Sequence, residues 1–187
     1  MLGQLAFNKQ LQRINFRCAQ FGPLSWALGL MIEPMKSLEL KIPPPAIAVL
    51  VAAAMWELSR LTPSLQVPTG IRLLSALAFA LVSIGFSAAG VISFRRARTT
   101  LNPTKPQLTS SLVSSGIYTV TRNPMYVGLL LVLIALAIFL SSPWTLLGPA
   151  AYFLYIGRFQ IAPEERALTA LFGAEYTAYL SKVRRWL

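Results

Sequence analysis

Residues 116–126 read GIYTVTRNPMY and residues 163–180 read PEERALTALFGAEYTAYL, and an almost uncharged apolar stretch, 125–157, joins these two polar motifs. Within that stretch the Ser-Ser-Pro sequence at 141–143 predicts a tight turn. The apolar segments on either side of the turn are short for independent membrane spans, so we predict one helical hairpin. A hairpin returns the chain to the side on which it began. We therefore expect the first and second motifs to meet at one membrane surface.

The composition is that of an integral membrane protein. Of the 187 residues, 55% are hydrophobic and 12% are charged, and the mean hydropathy is +0.59. Soluble domains carry about 25% charged residues. We predict an all-α protein with about four transmembrane helices, of which the last two form the hairpin, and a C-terminal amphipathic cytoplasmic helix that begins at Pro163. The apolar segments are 42–61, 73–94, 125–140 and 144–157.

Basic residues outnumber acidic ones, 17 to 6, and the net charge is +11. They cluster in loops beside the apolar segments and are not interleaved with aromatic residues, so we expect membrane lipids and not nucleic acid as partners. An even number of spans places most of them on one face, which the positive-inside rule assigns to the cytoplasm. We therefore predict a protein of the bacterial inner membrane whose termini and active site are cytoplasmic. The basic residues on that face are Lys36, Lys41, Arg95, Arg96, Arg98, Lys105, Arg122, Arg158, Lys182, Arg184 and Arg185, whereas the opposite loops carry Arg60 and Arg72.

The sequence excludes several kinds of active site. It contains no His, and Cys18 is its single cysteine. A His general base, an axial haem His, a disulfide within the chain and a Cys-based metal site are therefore excluded, and we predict no metal. Catalysis would rest on Glu, Arg, Tyr and backbone groups, or on a cofactor.

Residues 1–35 differ from the rest and are predicted to be an N-terminal extension, with the membrane domain at 36–187. The apolar segment 21–32 within the extension is too short to span a membrane. Met35 lies just before a basic segment and a helix and reads well as a natural start. We expect the extension to be poorly ordered or to follow from a mis-assigned start codon. Mass spectrometry of the natural N-terminus tests this, and a peptide from the extension would contradict the second explanation.

Each polar residue of the motifs also has a purely structural interpretation. Arg122 is typical of a topology anchor, and Glu164 and Glu165 are typical of a helix start, where they complement the helix dipole. Tyrosines such as Tyr118 and Tyr126 are typical of an interfacial belt. The joint spacing of these residues, and not any single one, indicates a pocket for a polar, partly charged cofactor.

The spacing G-I-Y-x-x-x-R-N-P-M-Y-x-G, followed by an apolar hairpin and E-E-x-x-L-x-x-x-F-G-x-x-Y-x-x-Y, resembles the isoprenylcysteine carboxyl methyltransferase family, to which membrane phospholipid methyltransferases are related. The resemblance covers about residues 71–187. It implies a helical membrane enzyme that transfers a methyl group from S-adenosylmethionine, its cofactor, to a small or lipid-like acceptor. It also implies that no Rossmann domain is used, and the chain lacks the glycine-rich fingerprint of that domain.

The resemblance implies a set of site residues at the matching positions. The cofactor-binding residues would be Ser110, Ser111, Leu112, Val113, Tyr118, Asn123, Pro124, Met125, Tyr126 and Glu164. We add Arg122 and Glu165 as candidate catalytic residues. Arg122 would be a carboxylate or structural partner, and both glutamates could offset the positive charges of the cofactor. Arg158 and Gln160 are the candidate substrate residues.

Two positions depart from the family pattern. Asn123 stands where the family often has His, so this residue can form hydrogen bonds but cannot titrate. Gln160 stands where the eukaryotic prenylcysteine enzymes have a substrate-associated Arg, with Arg158 two residues away. A prenylcysteine carboxylate is therefore not favoured as the acceptor, and oxygen, sulfur and nitrogen acceptors stay open.

Two other functions stay open at this point. Some membrane reductases of the sterol type end in a similar Arg-x-Pro-x-Tyr element and bind NADPH, although the second motif fits the methyltransferases better. A non-catalytic membrane protein would use both motifs only as helix caps and interface anchors. A comparison of NADPH with S-adenosylhomocysteine as stabilising ligands discriminates among these functions. The sequence defines neither the acceptor nor the oligomeric state.

Overall fold

The computed structural model describes residues 38–97 and 111–187, and within these ranges it contains five α-helices and no strand. The all-α prediction is therefore confirmed for the described residues, whereas the predicted N-terminal extension and Ser110 lie outside them. The helices are α1 (Pro44–Leu61), α2 (Thr69–Arg96), α3 (Pro124–Leu140), α4 (Leu147–Ile156) and α5 (Ala162–Lys182). Two 3₁₀ turns, Gly116–Thr119 and Pro143–Leu146, precede α3 and α4, and a π-helical turn, Gly157–Ile161, joins α4 to α5.

Prolines mark the starts of α1 and α3. Pro44 and Pro124 occupy first-turn positions, where a missing N–H costs no helical hydrogen bond. Pro163 differs because the π turn leads into it without a break. In a regular helix the residue at position 163 would donate its N–H to the Phe159 carbonyl. Proline has no N–H, and the Leu40 N–H donates to that carbonyl instead, at 3.1 Å. The proline thus leaves an acceptor free for the segment that precedes α1.

Helix α5 bends at Gly173. This residue has φ +52° and ψ −121° inside α5, a conformation that suits glycine and few other residues. The turn predicted at 141–143 is also present, since Ser141 ends α3 in the left-handed region with φ +54°. The third and fourth apolar segments therefore form the expected helical hairpin.

Helices α2 and α3 approach closely at a small residue. The Ser83 hydroxyl of α2 donates to the Gly128 carbonyl of α3 at 2.7 Å. A Cβ on Gly128 would overlap the Ser87 hydroxyl and would lie 3.1 Å from the Ser83 carbonyl oxygen. A side chain at this position would therefore push α2 and α3 apart.

We expect Gly128→Ala to lower the free energy of unfolding by about 1–3 kcal/mol, since overpacking displaces backbone as well as side chains. Thermal unfolding in detergent measures this effect. Gly85→Ala in α2 is the control, because a Cβ there meets no atom within 4 Å and alanine favours helices by about 1 kcal/mol. Equal stability of the two variants would contradict the close approach.

The buried core lies among α1, α3 and α4. Met55, Leu133, Tyr152 and Ile156 are almost completely buried within it. The outer faces of the first two helices are also apolar, with Val49 of α1 68% exposed and Leu74 of α2 69% exposed. Apolar faces of this kind suit contact with hydrocarbon and not with water.

Two helices, α1 and α2, are long and apolar enough to cross a membrane. Little of either helix is buried inside the protein, unlike the core helix of a soluble domain. Helix α3 is a shorter apolar helix of 17 residues, and α4 has 10. The crossing of a bilayer by the hairpin, and hence the count of four spans, stays a prediction.

The amphipathic character expected of α5 also stays a prediction. Tyr176 and Tyr179 are buried on one side of this helix, whereas Leu171 is 45% exposed. The helix therefore turns its tyrosines, and not all of its apolar residues, toward the rest of the chain.

Candidate active site

The two polar motifs meet at Glu164. The Tyr126 hydroxyl, in the first turn of α3, donates to Glu164 Oε1 at 2.5 Å. The Gln160 side-chain amide donates to the same oxygen at 2.7 Å. The predicted convergence of the motifs is confirmed at this carboxylate.

The π-helical turn places Gln160 beside Glu164. The two residues lie four apart across the junction of the turn with α5, so their side chains share a face. Gln160 is 2% exposed, and its amide therefore reaches the carboxylate from the protein interior. Single π turns inside α-helices often occur at functional sites, and this one lies directly before the second motif.

Burial raises the pKa of Glu164 to about 7. The hydrogen bonds from Tyr126 and Gln160 oppose this effect because they favour the ionised form, whereas the charge of Glu165 adds to it. The carboxyl group is therefore poised between its two forms at neutral pH. A cation placed beside it would favour the carboxylate and lower the pKa.

Buried tyrosines surround the carboxylate. Tyr118 and Tyr176 are 6% and 3% exposed, and both lie within electrostatic range of Glu164. Burial raises the pKa of each phenol well above its usual value. Tyr179 donates from its hydroxyl to the Tyr118 carbonyl at 2.7 Å, and burial raises its pKa to about 12. The site thus combines one titratable carboxylate with neutral aromatic rings, a combination that suits a cationic group.

Glu165 belongs to a separate ion cluster. Arg122 Nη1 lies 3.1 Å from Glu165 Oε1, and Arg185 Nη2 lies 2.5 Å from Glu165 Oε2. Arg185 Nε donates a second hydrogen bond to Oε1 at 3.1 Å, which completes a bidentate fork. The ion cluster links the first motif, the second motif and the C-terminus.

The C-terminal segment, 183–187, lies beside the first motif. The Arg122 N–H donates to the Arg184 carbonyl at 3.0 Å, and the Asn123 side-chain amide donates to the Arg185 carbonyl at 2.9 Å. Trp186 packs against Phe153 of α4, with ring centroids 4.7 Å apart. From the sequence, we predict that the basic residues of this segment determine membrane topology, and not that the segment contacts the first motif.

The remaining cofactor-binding candidates lie near the end of α2. The Ser111 hydroxyl donates to the Ala97 carbonyl at 3.3 Å, Leu112 is partly buried and Val113 is buried. Gly116 has φ +64°, and a Cβ there would lie 2.9 Å from the Ser93 hydroxyl oxygen. The 3₁₀ turn that carries Tyr118 therefore needs glycine at its first residue, both for its conformation and for its contact with α2.

The start of α3 combines buried and hydrogen-bonding residues. Pro124 is buried, and Met125 packs so close to Gly90 that a Cβ on that glycine would lie 2.9 Å from Met125 Cγ. Asn123 faces the C-terminal segment through its side-chain amide. Of the run 123–126, Tyr126 is therefore the residue that reaches the Glu164 carboxylate.

The two substrate candidates are directed differently. Gln160 contacts Glu164, whereas Arg158 Nη1 pairs with Glu39 Oε1 at 3.1 Å. Arg166 pairs with the other oxygen of Glu39. The Arg158 guanidinium, which the sequence indicated as a substrate-binding group, is thus paired with Glu39.

The sequence model of the phospholipid methyltransferase family matches residues 71–175, which is more than half of the chain. The chain belongs to this family. An uncharacterized protein of Haemophilus influenzae (strain ATCC 51907 / DSM 11121 / KW20 / Rd) is 48% identical over 63 residues, which is 34% of this chain and all of that protein. No solved structure matches the chain.

The region that matches the phospholipid methyltransferase family runs from the start of α2 into α5. It includes Tyr118, Tyr126, Gln160 and Glu164, which form the carboxylate site. Glu39 and the C-terminal segment lie outside the match, although both contact residues within it.

Sequence reasoning missed Glu39, Arg166 and Arg185 as contributors to the site region. A signal existed, because each of the few glutamates among so many basic residues is expected to form ion pairs. The pairing itself is not readable from the sequence. Glu39 and Arg158, for example, lie 119 positions apart.

Proposed function

We propose that this member of the phospholipid methyltransferase family is a membrane-embedded enzyme that transfers a methyl group from S-adenosylmethionine to a small or lipid-like acceptor. The observation that carries the proposal is the Glu164 carboxylate, which Tyr126 and Gln160 hold between the two motifs. The methyltransferase family and the apolar helices support a membrane methyltransferase. The cofactor, the acceptor and the roles of individual residues are our proposals.

The residues present fit S-adenosylmethionine. The cofactor has a sulfonium and an ammonium group, and both are cations. Glu164 supplies a carboxylate whose pKa of about 7 falls when a cation is near. Tyr118, Tyr126 and Tyr176 supply aromatic faces, which attract cations. The cofactor, when bound, supplies an activated methyl group.

The role of the chain's own residues would be to bind the cofactor and to orient it toward the acceptor. Methyl transfer from a sulfonium needs little acid–base help, and holding two reactants in line can lower a barrier by roughly 7–11 kcal/mol. We propose that Glu164 and Tyr126 hold the cofactor, with Asn123, Pro124, Met125 and the segment 111–113 around it. The raised pKa of Tyr118 and Tyr176 keeps their phenols protonated, so these hydroxyls do not compete as nucleophiles.

The sequence indicates Arg122 and Glu165 as candidate catalytic residues, whereas their geometry favours a positioning role. Both oxygens of the Glu165 carboxylate are in contact with guanidinium groups, which leaves this charge largely neutralised. We propose that the ion cluster sets the distance between the motifs and thereby the shape of the cofactor site.

The acceptor would enter from the bilayer between the helices. Arg158 is paired with Glu39, and Gln160 is neutral, so neither offers a free positive charge to an acceptor carboxylate. This supports an acceptor without a carboxylate. With both motifs on the cytoplasmic side of four spans, the site would face the compartment that makes the cofactor.

The test is a ligand-stabilisation experiment on the detergent-solubilised protein. We expect S-adenosylmethionine and S-adenosylhomocysteine to raise the melting temperature, and NADPH to have no effect. Stabilisation by NADPH alone would favour a reductase, and no response to any of the three ligands would favour a non-catalytic protein. Incubation with methyl-labelled S-adenosylmethionine and a membrane lipid extract then identifies the acceptor from the labelled product.

We expect the affinity for S-adenosylmethionine to depend on pH through Glu164. The cation favours the ionised carboxylate, so affinity is full above the pKa of about 7 and falls by up to about tenfold per unit as the pH drops below it. Isothermal titration between pH 5.5 and 8.5 measures this.

Two variants test whether Glu164 is the group responsible for the pH dependence. Tyr126→Phe removes a hydrogen bond that lowers the pKa of Glu164, so the midpoint should move to higher pH. Glu164→Gln should flatten the profile. A midpoint that is unchanged in both variants would assign the pH dependence to another group.

A further inference from the structure

The outer face of α2 and α3 carries a shallow, open apolar cleft at the end remote from the two motifs. The cleft measures about 390 Å³, and its lining includes Leu73, Ala76 and Ala80 of α2 and Val132, Leu136 and Phe139 of α3. These residues belong to the first turns of α2 and the last turns of α3. Phe139 lies thirteen residues after Tyr126, which places it about 20 Å along α3 from the cofactor site.

Arg72 stands at the end of this cleft. It belongs to the first turn of α2, next to Leu73, and its guanidinium carbon lies 5.9 Å from the centre of the Phe139 ring. Arg72 Nε is buried and, among the described residues, has no hydrogen-bond partner. Among the described residues no carboxylate pairs with Arg72, so its guanidinium charge is available to an anionic oxygen from outside the described chain.

The position of Arg72 indicates what supplies that oxygen. Helix α2 is long and apolar enough to cross a membrane, and the first turn of such a helix lies at the level of the lipid headgroups. Arginine near the end of a span extends its guanidinium toward the phosphates. The apolar cleft below it would face the acyl chains of the same leaflet.

We propose that this cleft is a binding site for a single glycerophospholipid molecule. Its phosphate pairs with the Arg72 guanidinium, and one acyl chain lies in the cleft between α2 and α3. The charge of Arg72 and the apolar lining are complementary to the two parts of one lipid. The site is separate from the methyl-transfer site and does not depend on the proposed function.

Native mass spectrometry of the delipidated protein tests this with four probes. These are phosphatidylglycerol, phosphatidylcholine, diacylglycerol with the same chains, and inorganic phosphate. We expect one molecule of either phospholipid to bind, diacylglycerol to bind about tenfold or more weakly, and phosphate alone not to bind at millimolar concentration. Equal binding of diacylglycerol, or saturable binding of phosphate alone, would overturn the proposal.

Matched variants locate the site. Arg72→Gln removes the guanidinium charge and should weaken phospholipid binding about tenfold, whereas Arg72→Lys keeps a positive charge and should weaken it less. Ala76→Phe should block the cleft, whereas Ala78→Phe, on the same helix but outside the lining, should not. Arg60→Gln is the charge control, because Arg60 is exposed and paired with Glu57. Unchanged binding in both Arg72 variants and in Ala76→Phe would overturn the proposal even if one variant folds poorly.

Discussion

Replacing Glu164 by Gln is expected to weaken the binding of S-adenosylmethionine by at least about 30-fold, because truncating one partner of a buried charge pair costs about 2 kcal/mol or more. Gln keeps the shape of the side chain and an oxygen that can accept from Tyr126 and Gln160. The substitution therefore removes charge and little else. S-adenosylhomocysteine keeps the ammonium group but lacks the sulfonium charge, so its affinity should fall much less if Glu164 faces the sulfonium.

Isothermal titration of the two ligands against the wild-type protein and Glu164→Gln measures this difference. Glu57→Gln is the matched control, since Glu57 is an exposed glutamate that pairs with Arg60 at the end of α1. It should leave both affinities unchanged. An unchanged affinity for S-adenosylmethionine in Glu164→Gln would remove the central residue from the proposed site.

Replacing Arg122 by Ala is expected to lower the free energy of unfolding by about 3 kcal/mol, because it leaves a mostly buried carboxylate with one partner fewer. The side chains of Arg122 and Glu165 are only 13% and 16% exposed. Thermal or denaturant unfolding in detergent gives the loss. The double variant with Glu165→Ala should be less destabilised than the two single losses add up to, since the two residues interact directly.

The other ion pairs are more exposed to solvent, and their expected contributions to stability are smaller. Arg185 is 42% exposed, so Arg185→Ala should cost about 1 kcal/mol once solvent screening is considered. Arg60 is 67% exposed, and Arg60→Ala should change stability by no more than about 0.5 kcal/mol. If Arg122→Ala were as mild as Arg60→Ala, the ion cluster would not position the motifs. A loss of methyl transfer with no loss of stability would instead support a catalytic role for Arg122.

Local features of the fold were predictable because their causes are local. Apolar runs defined the helices, Pro124 defined the start of α3, and Gly173 defined a bend that its backbone conformation explains. The convergence of the motifs was predictable as well. It follows from the turn at 141–143, since the two arms of a hairpin return to one end.

The π-helical turn was not predictable from a 3.6-residue pattern. The π turn contains one residue more than an α-helical turn, and this residue rotates α5 about its axis relative to α4. No residue type in 157–161 specifies such a turn. The turn nevertheless decides that Gln160 reaches Glu164 from the interior. Pro163, which follows the turn and has no N–H, leaves the Phe159 carbonyl to the segment before α1.

The sequence by itself determined the composition of the site, because membrane spans, helix starts and motif spacing depend on residues close together in the chain. Only the tertiary structure decided which charge meets which. In the structure Glu164 accepts hydrogen bonds from Tyr126 and Gln160, Glu165 pairs with two arginines, and Arg158 pairs with Glu39. The physical reason is that an ion pair depends on a few ångströms of separation between groups that the chain brings together from distant positions. The two adjacent glutamates illustrate this, since the buried one is poised to meet a cation and its neighbour is already neutralised.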